Sequence, residues 1–447
     1  RLKRHLGETM TLDGREISYD EAITEVIQHC VRSANKKLQS GWQMTTNEIA
    51  LSYPATYTSA QRQRLIELAE KASLADGTQV HVSGTIAEPA AAGLDYLSRF
   101  GSDKETTVLV YDLGGGTFDL ALVALYPKGR TNGDGDYYYD ILAVDGLEDV
   151  GGGEFDEIMY QLIEQKLQVP LNPSHKAALR AEAEKIKKDL TFDAYADAEV
   201  LYNNEYLTVR VTREEFETAS RELLMRTIEA TKKMFERHSN QKPETIILTG
   251  GASQMPMVKR ALEEAFPEYK GDEMKHKEDK IQISNPSRAI ADGAARYGTA
   301  EAMNDIAEKA EAVSVVQTRV GYDLGIRFYH SVDDESGYIS TYIPAGTPIP
   351  YQAAYQNSTT LHEDQRYSGF TVYEANKAHP DSEQVAEDYT EIMKVSLDHG
   401  REVPKGTRNE SRLCIDKLGV LTIEAREADH PEKPIKSTVE LKNLSKS

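Results

Sequence analysis

The sequence predicts an α/β domain over residues 1–300 and an all-β sandwich over residues 320–447, joined by a helix and linker over 301–319. Three observations predict it. The 447 residues, 39% of them apolar, exceed what one core fills, because single cores stop growing at roughly 250–300 residues. Strand-like and helix-like segments alternate along the first domain, the pattern of helices packed on sheets. After Val320 the helical periodicity ends and short alternating runs replace it.

Taken in order, Ser18-Tyr19-Asp20-Glu21 reads as a capping box that opens a helix burying Ala22, Ile23, Val26, Ile27, Cys30 and Ala34 on one stripe. A second box, Thr58 to Gln61, opens the next helix. Two apolar strands, 108–113 and 118–123, flank a glycine turn. Gly151-Gly152-Gly153-Glu154-Phe155-Asp156 precedes an amphipathic helix, whose N-terminal amides favour anionic oxygens. Ile246 to Thr249 reads as a buried strand running into Gly250 and Gly251, and strand ends of this kind bind nucleotides. A charged, alanine-rich helical piece between Glu301 and Ala312 leads to the short apolar run Val313 to Val316 and then Gln317-Thr318-Arg319, read as the interdomain linker. The sandwich strands are expected at 338–343, 370–373, 392–397, 413–416, 420–425 and 438–441. No period of solenoid length is present.

The net charge of −21 leaves no basic field to displace counterions from nucleic acid and would repel an anionic membrane. Neither is an expected partner. Cys30 and Cys414 are far apart and have no metal-ligand neighbours, which fits a reducing compartment. Cytoplasm is the expected location.

The glycine hairpin carries the chemistry. If Gly115 and Gly116 form a two-residue primed turn, which needs positive φ, Asp112 lies opposite Asp119 and Thr117 shares their face. Facing carboxylates repel, so a cation with its waters is expected between them. Mg²⁺ suits two aspartates facing a nucleotide, because it keeps several waters and takes phosphate oxygens. The bare amides of Gly114, Gly115 and Gly116 let a phosphate approach closely.

Asp-Leu-Gly-Gly-Gly-Thr-Phe-Asp at 112–119 is similar to the second phosphate motif of the seventy-kilodalton heat-shock chaperone family. The resemblance covers nearly the whole chain. It implies an actin-like (ribonuclease H-like), two-lobed ATPase domain followed by a β-sandwich that grips extended peptides, with ATP/ADP and Mg²⁺ as cofactors. Carried over by position, Lys3 matches the lysine that contacts the transferring phosphate, and Glu88, in Ala87-Glu88-Pro89, matches the magnesium-site glutamate. Asp112, Thr117 and Asp119 complete the catalytic set, with both aspartates holding magnesium through waters. Pro54 and Arg62 match a proline switch and its relay arginine. Gly151, Gly152, Glu184, Lys187, Lys188, Thr191, Gly250, Gly251 and Gln254 match the nucleotide-binding positions. Ile339, Tyr355 and Phe370 are placed near the peptide groove. Unfolded peptide segments, J-domain cochaperones and a nucleotide exchange factor are the implied partners.

Several features depart from the family pattern. Gln254 replaces an adenine-stacking arginine, and Ser287 replaces an acidic residue. The linker carries Gln317, Thr318 and Arg319 where apolar and acidic residues are usual, and an acidic connection follows Asn376. The resemblance begins after the family's first phosphate loop and stops before its helical lid. The expected function is therefore an ATP-dependent chaperone whose hydrolysis depends on that first loop. The alternative is a non-hydrolysing nucleotide-sensing or peptide-binding scaffold; a sugar kinase on the same fold is disfavoured, since it needs no peptide sandwich.

Overall fold

The structure is a computed structural model that describes all residues except 1, 13–14, 58, 102–103, 128–136, 203–204, 272–278, 285–287, 307–314, 321–322, 335, 376–388, 417–418 and 441–447. Thr58, Ser287 and most of the acidic connection after Asn376 lie outside the described residues. The chain opens with β1 (Thr9–Leu12), β2 (Arg15–Ser18), α1 (Tyr19–Trp42), β3 (Glu48–Tyr53), α2 (Ser59–Glu70), β4 (His81–Ala87) and α3 (Glu88–Phe100). Next come β5 (Thr106–Leu113), β6 (Phe118–Pro127), β7 (Tyr137–Leu147), α4 (Gly152–Leu167), α5 (Pro173–Phe192), β8 (Tyr195–Tyr202) and β9 (Glu205–Thr212). The α/β part closes with α6 (Arg213–Arg237), β10 (Thr245–Thr249), α7 (Pro256–Ala265), β11 (Ile281–Ile283) and α8 (Ala289–Ile306).

The central sheet runs β11-β10-β5-β6-β7 and continues into two further strands described below. β5 is buried on both faces because helices cover both. Leu109, Tyr111 and Leu113 enter one core with α4, α5 and α6, whereas Val108 and Val110 enter a second with α3 and α8. Period-2 alternation between two apolar layers explains why this strand reads as a continuous hydrophobic run. Among the described residues, β3 and β4 form a separate parallel pair.

Two expectations for α1 fail. Ser18 stands at the N-cap but makes no side-chain cap bond. Of the expected stripe only Ile23 is buried; Val26, Cys30 and Ala34 are exposed. The physical reason is that this stripe faces an open groove of about 810 Å³ between α1, β3 and α8 rather than a packed partner.

The second part comprises β12 (Val315–Arg319), β13 (Leu324–Phe328), β14 (Tyr338–Ile343), β15 (Pro348–Ile349), β16 (Tyr351–Gln352) and β17 (Gln356–Thr359). It continues with β18 (Gln365–Ala375), β19 (Tyr389–Val403), β20 (Arg408–Ile415), β21 (Val420–Glu427) and β22 (Ile435–Glu440). One sheet runs β14-β13-β18-β19 and the other β16-β20-β21-β22, with β17 also on β20. Leu324, Ile326 and Val372 from the first sheet meet Leu413, Leu421 and Ile423 from the second, giving the aligned core of a sandwich.

Within the segment read as the helix and interdomain linker, Val315–Arg319 forms a strand. β12 pairs in parallel with β7 and antiparallel with β15, so it extends the central sheet and ties the sandwich to it. Arg319 fastens the end of this strand: its guanidinium pairs with buried Asp140 and its Nη1 donates to the Gly346 carbonyl at 2.8 Å. Burial pushes the Asp140 carboxyl up to about 6, while Arg319 pulls it down.

Candidate nucleotide site

β5 and β6 place Asp112 directly across from Asp119 and Leu113 across from Phe118. Tyr111, Leu113, Phe118 and Leu120 are fully buried on the opposite side and anchor the hairpin. Gly114 donates its N–H to the Thr117 carbonyl at 3.0 Å, which closes the turn. One expectation is corrected here: neither Gly115 nor Gly116 takes a left-handed φ, so this is not a primed turn. A Cβ on Gly115 would meet nothing within 4 Å; the position that close approach reserves for glycine is Gly151. Gly152 and Gly153 donate to the carbonyls of Gly114 and Gly115 at 2.8 and 3.0 Å, and a Cβ on Gly151 would stand 2.7 Å from the Gly116 oxygen. Two glycine turns thus interlock beside the carboxylates.

Asp119 is held in place by its neighbours. Its Oδ1 accepts from the Ala55 N–H at 2.7 Å and its Oδ2 from the Thr117 hydroxyl at 2.6 Å. Asp112 sits on the adjoining strand, 3% exposed. Gly250 packs against it with a φ of +81°, and a Cβ there would overlap Asp112 Oδ1 and the Leu113 carbonyl. Both carboxylates are therefore oriented by protein groups, which suits contact with a hydrated ion through waters.

Gly114, Gly115, Gly116 and Thr117 line a cavity of about 930 Å³. Pro54, Thr56, Tyr57 and Glu88 close one side, and Glu148, Asp149 and Glu154 the other. Glu88 opens α3, directly followed by a proline in the first turn. The cavity is strongly negative. Burial first, then the carboxylates of Glu88 and Glu148, push the Tyr57 phenol far above its ordinary range. The acidic groups on its described lining would be offset, beside a polyphosphate, by a bound cation. Among the described residues no group of three or more His, Cys, Asp or Glu is arranged to chelate a metal. The donor set thus fits a Mg²⁺ that keeps its waters and takes phosphate oxygens, not a protein-chelated ion.

The remaining expected site residues are placed as follows by their elements. Lys3 is in the 3-10 helix Leu2–His5, and its side chain lies outside the described ones. Lys187 is buried; its Nζ donates to the Gly152 carbonyl at 2.9 Å and pairs with Asp156 at 2.6 Å, so it braces the second glycine turn. Glu184 and Lys188 pair with each other on the exposed face of α5, and Thr191 bonds back to the Lys187 carbonyl. Gly251 and Gln254 are exposed beyond Gly250. Pro54 is buried at the cavity wall. Arg62 is buried with its guanidinium over the Tyr53 ring, 5.2 Å from the centroid.

The Hsp70 protein family model matches residues 5–446. The chain belongs to the Hsp70 family. Members combine actin-like ATPase lobes with a β-sandwich, the architecture described above. Hsp70 proteins are chaperones that generally bind ATP or ADP with Mg²⁺, and they typically engage unfolded peptides and cochaperones. Among the described residues no helix is long and apolar enough to cross a membrane.

Of the residues expected at the Hsp70 peptide groove, Phe370 lines a cavity at one end of the sandwich. It borders a groove of about 700 Å³ and is itself 3% exposed, as part of the sandwich core. Ile339 is buried in a small cluster with Tyr373 and Tyr389. Tyr355 lies on the other sheet between the guanidinium groups of Arg412 and Arg426, with its hydroxyl on Glu424 at 3.0 Å. Neither lines that groove.

Sequence reasoning also missed residues at the acidic cavity beside the hairpin. Thr56 and Tyr57 follow Pro54, which was singled out for its backbone alone. Glu148 and Asp149 precede the second glycine turn, and that acidic pair before a helix entry was a usable signal. The Ala55 amide on Asp119 had none, because a main-chain donor leaves no mark in side-chain chemistry.

Proposed function

We propose that this chain is an ATP-dependent chaperone in which Mg-ATP in the glycine-walled cavity governs how the sandwich holds extended, unfolded peptides. The facing of Asp112 and Asp119 beneath two interlocked glycine turns carries this reading. A hydrated Mg²⁺ held by the two aspartates would supply the counter-charge for the triphosphate in an acidic cavity. Thr117 and Glu88 would order the phosphate and its waters, with Lys3 as the candidate for orienting the attacking water. Adenosine would extend toward Lys187, Gly250 and Gln254. J-domain proteins and a nucleotide exchange factor are the proposed cochaperones, and the cytoplasm the proposed location.

β12 supports coupling between the two parts. It hydrogen-bonds to β7 on one side and, on the other, to β15, the short strand that leads into β16 of the sandwich. A shift in the sheet that carries Asp119 would therefore reach the sandwich through main-chain bonds. Calorimetry with ATP in the presence and absence of Mg²⁺ tests the first half. Magnesium-dependent uptake is expected, and its absence ends the proposal.

The acidic cavity wall favours a second reading, a nucleotide sensor that does not hydrolyse. Phosphate release with and without an unfolded client separates the two: client-stimulated release supports the chaperone ATPase, and binding without release supports the sensor.

A further inference from the structure

The two sandwich sheets share an apolar core, but at one end four strands bring polar groups together instead. Ser368 comes from β18, His399 from β19, Asn409 from β20 and Glu427 from the end of β21. His399 Nε2 lies 2.9 Å from the Ser368 hydroxyl oxygen, and its Nδ1 lies 3.0 Å from Glu427 Oε2. The imidazole is fully buried, and the Glu427 side chain is 7% exposed. A serine, a histidine and a carboxylate joined in that order at hydrogen-bond distance form a nucleophile, its base and the group that orients the base.

The surrounding donors fix which way the hydrogens point. Asn409 Nδ2 donates to Ser368 Oγ at 3.0 Å, and Gln365 Nε2 donates to it at 3.3 Å. With both lone pairs engaged, the serine hydroxyl has only its own hydrogen to give, and His399 Nε2 is there to accept it. Glu427 sets the same tautomer from the other side, because a carboxylate at Nδ1 accepts the ring hydrogen of the neutral imidazole. Arg401 holds Glu427 in turn, with Nη2 on Oε1 at 2.6 Å and Nη1 on Oε2 at 3.2 Å. Burial raises the Glu427 carboxyl, but the hydrogen bonds from Arg401 and His399 outweigh it and keep the group below its ordinary range. Ser368 is 6% exposed, yet it stands with Gln365 and Asn409 on the wall of the 700 Å³ groove, beside the apolar side chains of Phe328, Leu361 and Phe370. A polar pin between two sheets needs only paired donors and acceptors; it does not need a serine on a cavity wall with its proton directed at an imidazole.

We propose that Ser368 is the nucleophile of an acyl-transfer site that hydrolyses carboxylic esters with a short apolar acyl chain, with His399 as its general base and Glu427 as the positioning carboxylate. The apolar side chains of the groove receive the acyl chain. Ser368 Oγ bonds to the ester carbonyl carbon as its proton passes to His399 Nε2. The amides of Asn409 and Gln365, already on Oγ, donate to the oxyanion that forms two bonds away. Collapse breaks the bond to the alkoxy oxygen, which leaves as the alcohol with the proton from Nε2. Water then attacks the acyl-serine carbonyl and gives a proton to Nε2, and the carboxylic acid departs as that proton returns to Oγ. The net change is ester and water to acid and alcohol, without change of oxidation state, and it is independent of the nucleotide cavity.

The test uses the full chain, a fluorophore-tagged fluorophosphonate that reacts with activated serines by losing fluoride, and p-nitrophenyl butyrate as the ester. Mass spectrometry of the labelled wild-type chain is expected to place the adduct on Ser368, with labelling at least about tenfold slower in the urea-unfolded chain. Ester hydrolysis should fall about a hundredfold or more in Ser368→Ala, and His399→Gln, which has no basic nitrogen, should slow labelling by a similar factor. Glu427→Gln keeps shape and loses charge, whereas Glu427→Asp keeps charge and loses length. A role in orienting the base predicts faster labelling in the aspartate variant, and a role in packing alone predicts the reverse. Absence of an adduct at Ser368 in the folded wild-type chain overturns the inference, and this measurement does not depend on any variant folding. Equal labelling of folded and unfolded chains overturns it as well, because an assembled base is then not required. Ester turnover unchanged in Ser368→Ala assigns the hydrolysis to another group and has the same effect.

Discussion

Asp119 is gripped from two sides, by a main-chain amide from the segment after β3 and by the hydroxyl two residues before it. That grip makes its charge, rather than its shape, the functional quantity. Asp119→Asn keeps the volume and removes the charge; magnesium-dependent ATP affinity should fall at least tenfold, about 1.4 kcal/mol, measured by calorimetry. Nucleotide affinity without Mg²⁺ should stay near its wild-type value. Gly250 is the second informative residue. Its left-handed φ and contact with Asp112 leave no room for a side chain, so Gly250→Ala should lower stability by about 2–4 kcal/mol in urea denaturation. Asp140 reports on pH. Its carboxyl titrates at about 6 in the folded chain and near 3.8 when unfolded, so folded chains hold an extra proton between those values. The stability it contributes is present in acid and is lost as pH rises through about 6. Asp140→Asn cannot titrate; denaturation midpoints of the two proteins compared from pH 4 to pH 7 should show the wild type losing stability relative to the variant as pH increases.

At the scale of elements, β12 is the consequential one. It is held by main-chain pairing on both edges and by Arg319 on Asp140. Removing the guanidinium leaves a carboxylate that is 1% exposed without its counter-charge. Arg319→Ala should weaken this attachment by about 3 kcal/mol, the usual effect of breaking one partner of a buried pair. Limited proteolysis is the measurement: cleavage near 315–319 should accelerate at neutral pH. Unaltered cleavage would mean that main-chain bonds alone hold the strand. α3 and α8 illustrate a second element-level constraint. A Cβ on Gly293 would overlap the Ala91 carbonyl, so this helix pair is packed through backbone contact. The alanine-rich stretch of α3 provides the other half of that approach, with Ala90, Ala91 and Ala92 fully buried.

For the whole molecule, coupling between cavity and groove is the property to test. Moving a two-state system almost completely from one state to the other requires about 5.5 kcal/mol of differential binding. Peptide off-rates measured with ATP and with ADP should differ by tenfold or more, and the difference should shrink in Arg319→Ala if β12 carries the signal. Equal off-rates in the wild-type chain would remove the coupling from the proposal.

Much of this was legible before folding was considered. The hairpin's facing aspartates follow from strand period and turn length, which are local, and the Asp112–Asp119 register came out as expected from eight consecutive residues. The positions of the sandwich strands were readable for the same reason, since alternation is a property of neighbours in the chain. Tertiary structure decided what local spacing cannot express. It alone places the Ala55 amide on Asp119, sets the Lys187 ammonium on the Gly152 carbonyl, and leaves the α1 stripe facing an open groove. It also makes a strand of residues 315–319, whose pairing partners lie far away in the chain, and sends Ile339 and Tyr355 into packing that no local pattern predicts. Periodicity tells which face of an element is apolar; only the meeting of distant segments determines what that face touches.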